Sequence, residues 1–221
     1  MFTTQISTVG CVAVFATTSI VLGDMTGLSY DIVGEDLVVG TYTVRVYAEL
    51  ETGNRLDAVF GNNTYNLRLD YLGGATPWHQ LNGGPTSMSI DPDAFGAHPS
   101  LEWDSFVTIG ALDQTDNELG EIGFDWSSWE GGGNLFADNA AWWVLPPDPQ
   151  GEPIDGRVLV AQLTTTTALG GQVYFTGGFQ WRDSDGMTHQ SSHNIMIPAP
   201  GAIAVLGLAG LAGQRRRRRI A

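Results

Sequence analysis

Residues 41–50, TYTVRVYAEL, alternate without a break. Tyr42, Val44, Val46, Ala48 and Leu50 fall on one side, with Thr43, Arg45, Tyr47 and Glu49 on the other. A period of two belongs to a strand, whose successive side chains leave opposite faces of a sheet. The pattern returns in YNLRLDY (65–71), with Tyr65, Leu67, Leu69 and Tyr71 on one side. The turn ETGN leads from 41–50 into RLDAVFG (55–61), which the spacing predicts to be its hairpin partner. Further strands are expected in DSFVTIGAL (104–112), AAWWVL (140–145), GRVLVAQLT (156–164), GQVYFTGGFQW (171–181) and the closing stretch 187–197. If 140–145 is extended, Trp142 and Trp143 must point to opposite faces. No window of twelve or more residues in the body carries a helical period. Short turns between strands, with longer loops at 72–100 and 113–139, predict an all-β fold. The expected form is a single β-sandwich of jelly-roll or Greek-key kind. Pro146, Pro147, Pro149 and Pro153 make an irregular crossover between strands.

Charge narrows the function classes. All ten basic residues are arginine, and five of them are Arg215–Arg219. The rest of the chain sets five arginines against 24 acidic residues, a formal −19. Such a balance argues against nucleic acid as a partner, because binding a phosphate backbone needs a broad basic face. The single cysteine, Cys11, lies in the N-terminal apolar run, so no disulfide framework and no cysteine metal site can form within one chain.

Both ends have the composition of addresses. Residues 6–23, ISTVGCVAVFATTSIVLG, are largely apolar and stop at Asp24. Residues 1–23 therefore predict a signal peptide with cleavage after Gly23, or alternatively after Ala16, although no Lys or Arg precedes the apolar run. The exported domain is expected over 24–197 and a tail over 198–221. In the tail, Pro198-Ala199-Pro200 precedes residues 201–213, which are only Gly, Ala, Ile, Val and Leu. At ~1.5 Å per residue this short apolar helix would span roughly 20 Å, less than the ~30 Å core of a bilayer. The arginines behind it would stay on the cytoplasmic side and halt export, a transient transmembrane helix anchored at the inner membrane.

This order of Pro-x-Pro, short apolar helix and arginine cluster resembles the PEP-CTERM sorting signals of Gram-negative bacteria, in their planctomycete-like PAPGA…RRRR form. Ala199 stands where the family name has Glu. The resemblance implies an exosortase-like transpeptidase as processing partner, with Pro198, Ala199, Pro200 and Arg215, Arg216, Arg217, Arg218 and Arg219 as the signal it reads. It also implies delivery to the cell envelope or an exopolysaccharide-bearing extracellular matrix. The body segments TGLSYDIVG, YTVRVYAEL, RLDAVFG, SLEWDSFVTIG, AWWV with PPDPQG, and GRVLVAQLT are similar to a group of short exported proteins with this tail. That similarity implies the class and no activity.

Candidate chemistry in the body is sparse. In DPDAFGAHPSLE (91–102), Asp91, Asp93, Gly96 and Glu102 hold positions one, three, six and twelve of a calcium loop, but Phe95 occupies position five, where an oxygen ligand belongs. A Pro-rich turn is the competing reading. Two oxygen-rich loops, 113–121 and 182–186, are weaker calcium candidates, and Asp183 and Asp185 beside Gly186 more simply form a hairpin turn. The four histidines, His79, His98, His189 and His193, show no ligand spacing, and neither HExxH nor GxSxG occurs. No enzyme and no required cofactor are expected, although carboxylate pairs brought together from different strands leave no spacing signature.

Trp126 and Trp129, in the glycine-rich stretch FDWSSWEGGG, are candidates for glycan contact, against the alternative that large aromatics fill the core. The sequence thus predicts an exported, non-enzymatic protein of the cell surface or matrix, structural or adhesive in role. A carbohydrate-binding module is the second reading and an exported glycan hydrolase the third.

Overall fold

A computed structural model describes residues 24–168 and 170–200. The predicted signal peptide and the apolar and arginine parts of the tail lie outside these residues. Among the described residues the chain is mostly β and builds two antiparallel sheets. The first sheet runs in the order β1 (Met25–Glu35), β2 (Thr41–Leu50), β9 (Arg157–Thr166), β5 (Phe106–Val107). The second centres on β10 (Gln172–Arg182). One side of β10 pairs along its whole length with β11 (Thr188–Pro198). The other side is shared, Gly178–Arg182 pairing with β3 (Arg55–Gly61) and Gln172–Thr176 with β4 (Leu67–Leu72). From β3 the sheet continues to β8 (Ala140–Trp143) and β6 (Gly120–Ile122), and from β4 to β7 (Leu135–Ala137).

Alternation set the faces as read. Tyr42, Val44, Val46 and Ala48 are fully buried and Leu50 nearly so. They join Leu56, Val59, Leu67, Leu69, Phe175 and Phe179 of the second sheet in one apolar cluster. Packing between sheets, which removes apolar area from water on both inner faces, holds the body together.

The hairpin expected at ETGN does not form. Asn54 N–H bonds to the Glu51 carbonyl in a tight turn, but β2 pairs with β1 and β9 while β3 pairs with β8 and β10. A four-residue turn fixes the reversal only. Both edges of β2 are occupied, so β3 crosses to the opposite sheet and turns its apolar face back toward β2. Three strands lacked a sequence signature. β1 is bulged between Met25 and Gly27 and between Ile32 and Gly34, which destroys a clean period of two. β6 and β7 are three residues each.

The segment 104–112 contributes only two paired residues to β5, although Thr108 and Gly110 still donate to the carbonyls of Val160 and Leu159 in β9. The α-helix among the described residues, α1 (Ser127–Glu130), is a single turn. No helix among the described residues is long and apolar enough to cross a membrane.

The last strand runs directly into the Pro-Ala-Pro motif. Pro198 lies opposite Gln172, Ala199 donates its N–H to the Gly171 carbonyl at 2.9 Å, and Ala199 is 3% exposed.

Candidate functional site

The outer face of the second sheet carries a shallow groove of 280 Å³ between β3, β8 and β10. A β-bulge creates its charged end. Opposite Gln180 and Trp181, β3 places three residues, Leu56, Asp57 and Ala58, where the register allows two. The extra residue, Asp57, is 3% exposed and takes an arginine on each oxygen. Arg55 Nε lies 2.8 Å from Oδ1 and Arg182 Nε lies 2.7 Å from Oδ2. Arg55 is tied down further by a bond from Nη1 to the Asp148 carbonyl at 2.9 Å. Two guanidinium groups share one carboxylate, and Glu152 and Asp183 line the adjoining cleft with them.

The aromatic end comes from the Trp142-Trp143 pair. Trp142 is fully buried and donates from Nε1 to the Thr108 carbonyl at 3.0 Å, whereas Trp143 points to the outer face and lines the groove. Its indole lies across Gly120 of β6, where a Cβ would come within 2.7 Å of the ring. Ala58 and Ala141 form a low floor between Trp143 and Arg182, and Gln180 stands beside them with its Oε1 accepting from Gln190 Nε2 at 2.9 Å.

Trp126 and Trp129 are brought together, with ring centroids 5.8 Å apart, but as part of the interior. Trp129 is fully buried, donates from Nε1 to Tyr71 Oη at 3.0 Å and meets His79 edge-on at 4.6 Å. Burial pushes the Tyr71 phenol up. Trp126 is half-buried and stacked on Phe124, with centroids 4.3 Å apart and planes 20° from parallel. Trp129 therefore has no ring face to offer a sugar, and the indole on the outer face is Trp143.

The calcium-loop residues do not converge. The Asp91 carboxylate accepts from Asp93 N–H at 3.0 Å and caps a 3₁₀ turn at Pro92–Ala94, while Glu102 lies in a separate 3₁₀ turn, Pro99–Trp103. In the loop 113–121, Asp113 accepts from Thr115 N–H and Asn117 donates to the Asp113 carbonyl and to Ser87 Oγ. Asp183 makes the hairpin turn, accepting from the N–H groups of Asp185 and Met187 and bonding His189 Nε2 at 2.7 Å. The His189 bond is the main cause that holds the Asp183 carboxyl below the usual carboxylate range. Among the described residues no three His, Cys, Asp or Glu side chains are grouped to hold a metal ion.

One buried pair escaped sequence reading. His79 Nδ1 lies 3.7 Å from Asp104 Oδ1, with side chains 10% and 1% exposed. Burial brings the imidazole down to about 4 and pushes the Asp104 carboxyl up to about 7, although Asp104 accepts from the N–H groups of Gln80 and Ser105. Neighbouring Ser105 does not complete a nucleophilic triad, because it is fully buried and its hydroxyl bonds the carbonyls of Trp78 and Thr164. The elements of both sites are far apart in sequence, and only the Trp142-Trp143 alternation left a local signal. Compared with protein families and with curated proteins, the chain matches none.

Proposed function

We propose that this is an exported, non-enzymatic protein of the cell envelope or extracellular matrix, structural or adhesive in role. In this reading its two sheets form a single β-sandwich of jelly-roll or Greek-key kind. A signal peptide over 1–23 exports it, and a PEP-CTERM-like tail from Pro198 to Ala221 is read by an exosortase-like transpeptidase. The observation that carries the reading is the order of the C-terminal residues: Pro198-Ala199-Pro200, an apolar run over 201–213, then Arg215–Arg219. That order follows directly on β11, the last strand of the β-rich body.

The test is the intact mass of the protein recovered from its host, fraction by fraction. Export and sorting predict an extracellular or envelope-released species that starts near Asp24 and ends near Pro200. A membrane species that keeps Arg215–Arg219 would reject the sorting step.

The second reading, a carbohydrate-binding module, is favoured by the groove beside Trp143, which pairs an indole with polar side chains on an open sheet face.

A further inference from the structure

We infer that the groove between Trp143 and Arg182 binds the acidic units of a polysaccharide, with a sugar ring on the indole and its carboxylate on the guanidinium. The assignment rests on reading the protein as a component of the cell surface or matrix.

Charge is the first argument. Among the described residues Arg68 pairs with Asp70 and Arg157 with Asp31, each one to one, and Arg45 bonds the Gln162 amide. Arg55 and Arg182 instead divide one carboxylate between them. Arg182 is the more exposed of the two, its side chain 38% exposed against 13% for Arg55. It spends Nε on Asp57, so its terminal nitrogens are left for a second acceptor. A carboxylate matches that planar fork. The neighbouring Asp183 carboxylate bonds two backbone N–H groups and His189 rather than the Arg182 guanidinium.

Shape is the second. The indole of Trp143 is seated on Gly120, and the alanines at 58 and 141 leave its groove-side approach open. An indole offers a sugar an apolar surface of matching size beside a polar rim. Gln180 supplies that rim, because the Gln190 bond to its Oε1 orients the amide with Nε2 free to donate to a hydroxyl. A groove of 280 Å³ takes a single sugar residue of a longer chain rather than an extended segment. The rest of the molecule is strongly acidic and repels a polyanion at long range, whereas the contact itself is short-range. Salt near 0.15 M, with a Debye length of about 8 Å, screens the first more than the second.

The experiment is titration of the full-length chain in 0.15 M salt with a tetramer of galacturonic acid and, separately, with neutral cellotetraose, followed by calorimetry. The acidic tetramer is expected to bind at least tenfold more tightly than the neutral one. Trp143→Ala and Arg182→Gln are each expected to weaken it at least tenfold. Because Arg182→Gln also disturbs Asp57, Ala141→Glu serves as a second variant. It leaves both arginine pairs intact and sets a negative charge on the groove floor, and it should abolish binding with an unchanged melting temperature.

Equal affinity for the two tetramers, full affinity in Trp143→Ala and Ala141→Glu, or no binding by the unaltered chain would each overturn the assignment. Failure here with the trimmed body found outside the cell defeats the groove alone. Binding by a protein that keeps its tail in the membrane supports the groove and defeats the sorting step.

Discussion

His79 and Asp104 face each other across 3.7 Å in a site almost closed to water, and burial moves their proton affinities in opposite directions. The consequence is a pair of opposed pH effects. Neutral His79 in the fold refuses a proton that the unfolded chain accepts between about pH 4 and 6.5, so its contribution to stability rises with pH over that window. Asp104 keeps in the fold a proton that the unfolded chain has lost between about pH 3.8 and 7, so its contribution falls over nearly the same window. The two slopes largely cancel in the native protein. Chemical unfolding at pH 4.5 and 6.5 should show Asp104→Asn gaining stability with rising pH and His79→Gln losing it. Each change should be on the order of 2 kcal/mol relative to the unaltered chain. Parallel pH profiles in all three proteins would contradict the opposition.

Asp57 should be the most costly single charge to remove. Asp57→Ala leaves the largely buried Arg55 guanidinium without its carboxylate, a loss of roughly 3 kcal/mol. Arg182→Gln, at the more exposed end, should cost about 1 kcal/mol or less. Urea unfolding of the two variants checks the ranking, and equal losses would mean that the pairs do not differ as their burial indicates.

Gly61 ends β3 where the chain passes beside β7. A Cβ there would run into the Ala137 carbonyl oxygen, a main-chain atom that cannot swing aside. Gly61→Ala should therefore destabilise the body by ~1–3 kcal/mol. Gly132, which has nothing within 4 Å of a built Cβ but a φ of 89°, should lose less, since only backbone strain opposes alanine there. Melting temperatures of the two variants make the comparison.

Ala199 belongs to the fold as well as to the proposed sorting motif. Ala199→Asp would set an unpaired carboxylate in a site 3% exposed and should destabilise by at least ~2 kcal/mol. The same change at Pro200, which is half-buried, should cost much less. Thermal unfolding separates this folding effect from any effect on processing.

What the sequence made legible was what a period of two controls. The buried face of β2, the opposed rings of Trp142 and Trp143, and the hairpin turn at Asp183–Gly186 all follow from alternation and local turn chemistry. What it hid were choices made by partners distant in the chain. β3 left β2 because both edges of β2 were filled by strands that include β9, more than a hundred residues later. Trp129 was drawn inside by Tyr71 and His79, which its polar, glycine-rich surroundings did not signal. Asp57 became a site only because β10 brought Arg182 to a bulge in β3.

The geometry of β10 and β11 also sets how the body would carry a load. Gln180 and Arg182 stand at the turn end of this hairpin, while Pro198 leaves it at the other, beside Gln172. About ten residues separate the two ends, roughly 35 Å of strand. Tension between something gripped at the groove and something tethered beyond Pro200 would run along the strands, across hydrogen bonds that lie perpendicular to it. The rungs of the ladder would then resist together in shear instead of opening one at a time, the arrangement suited to a domain that must hold while being pulled.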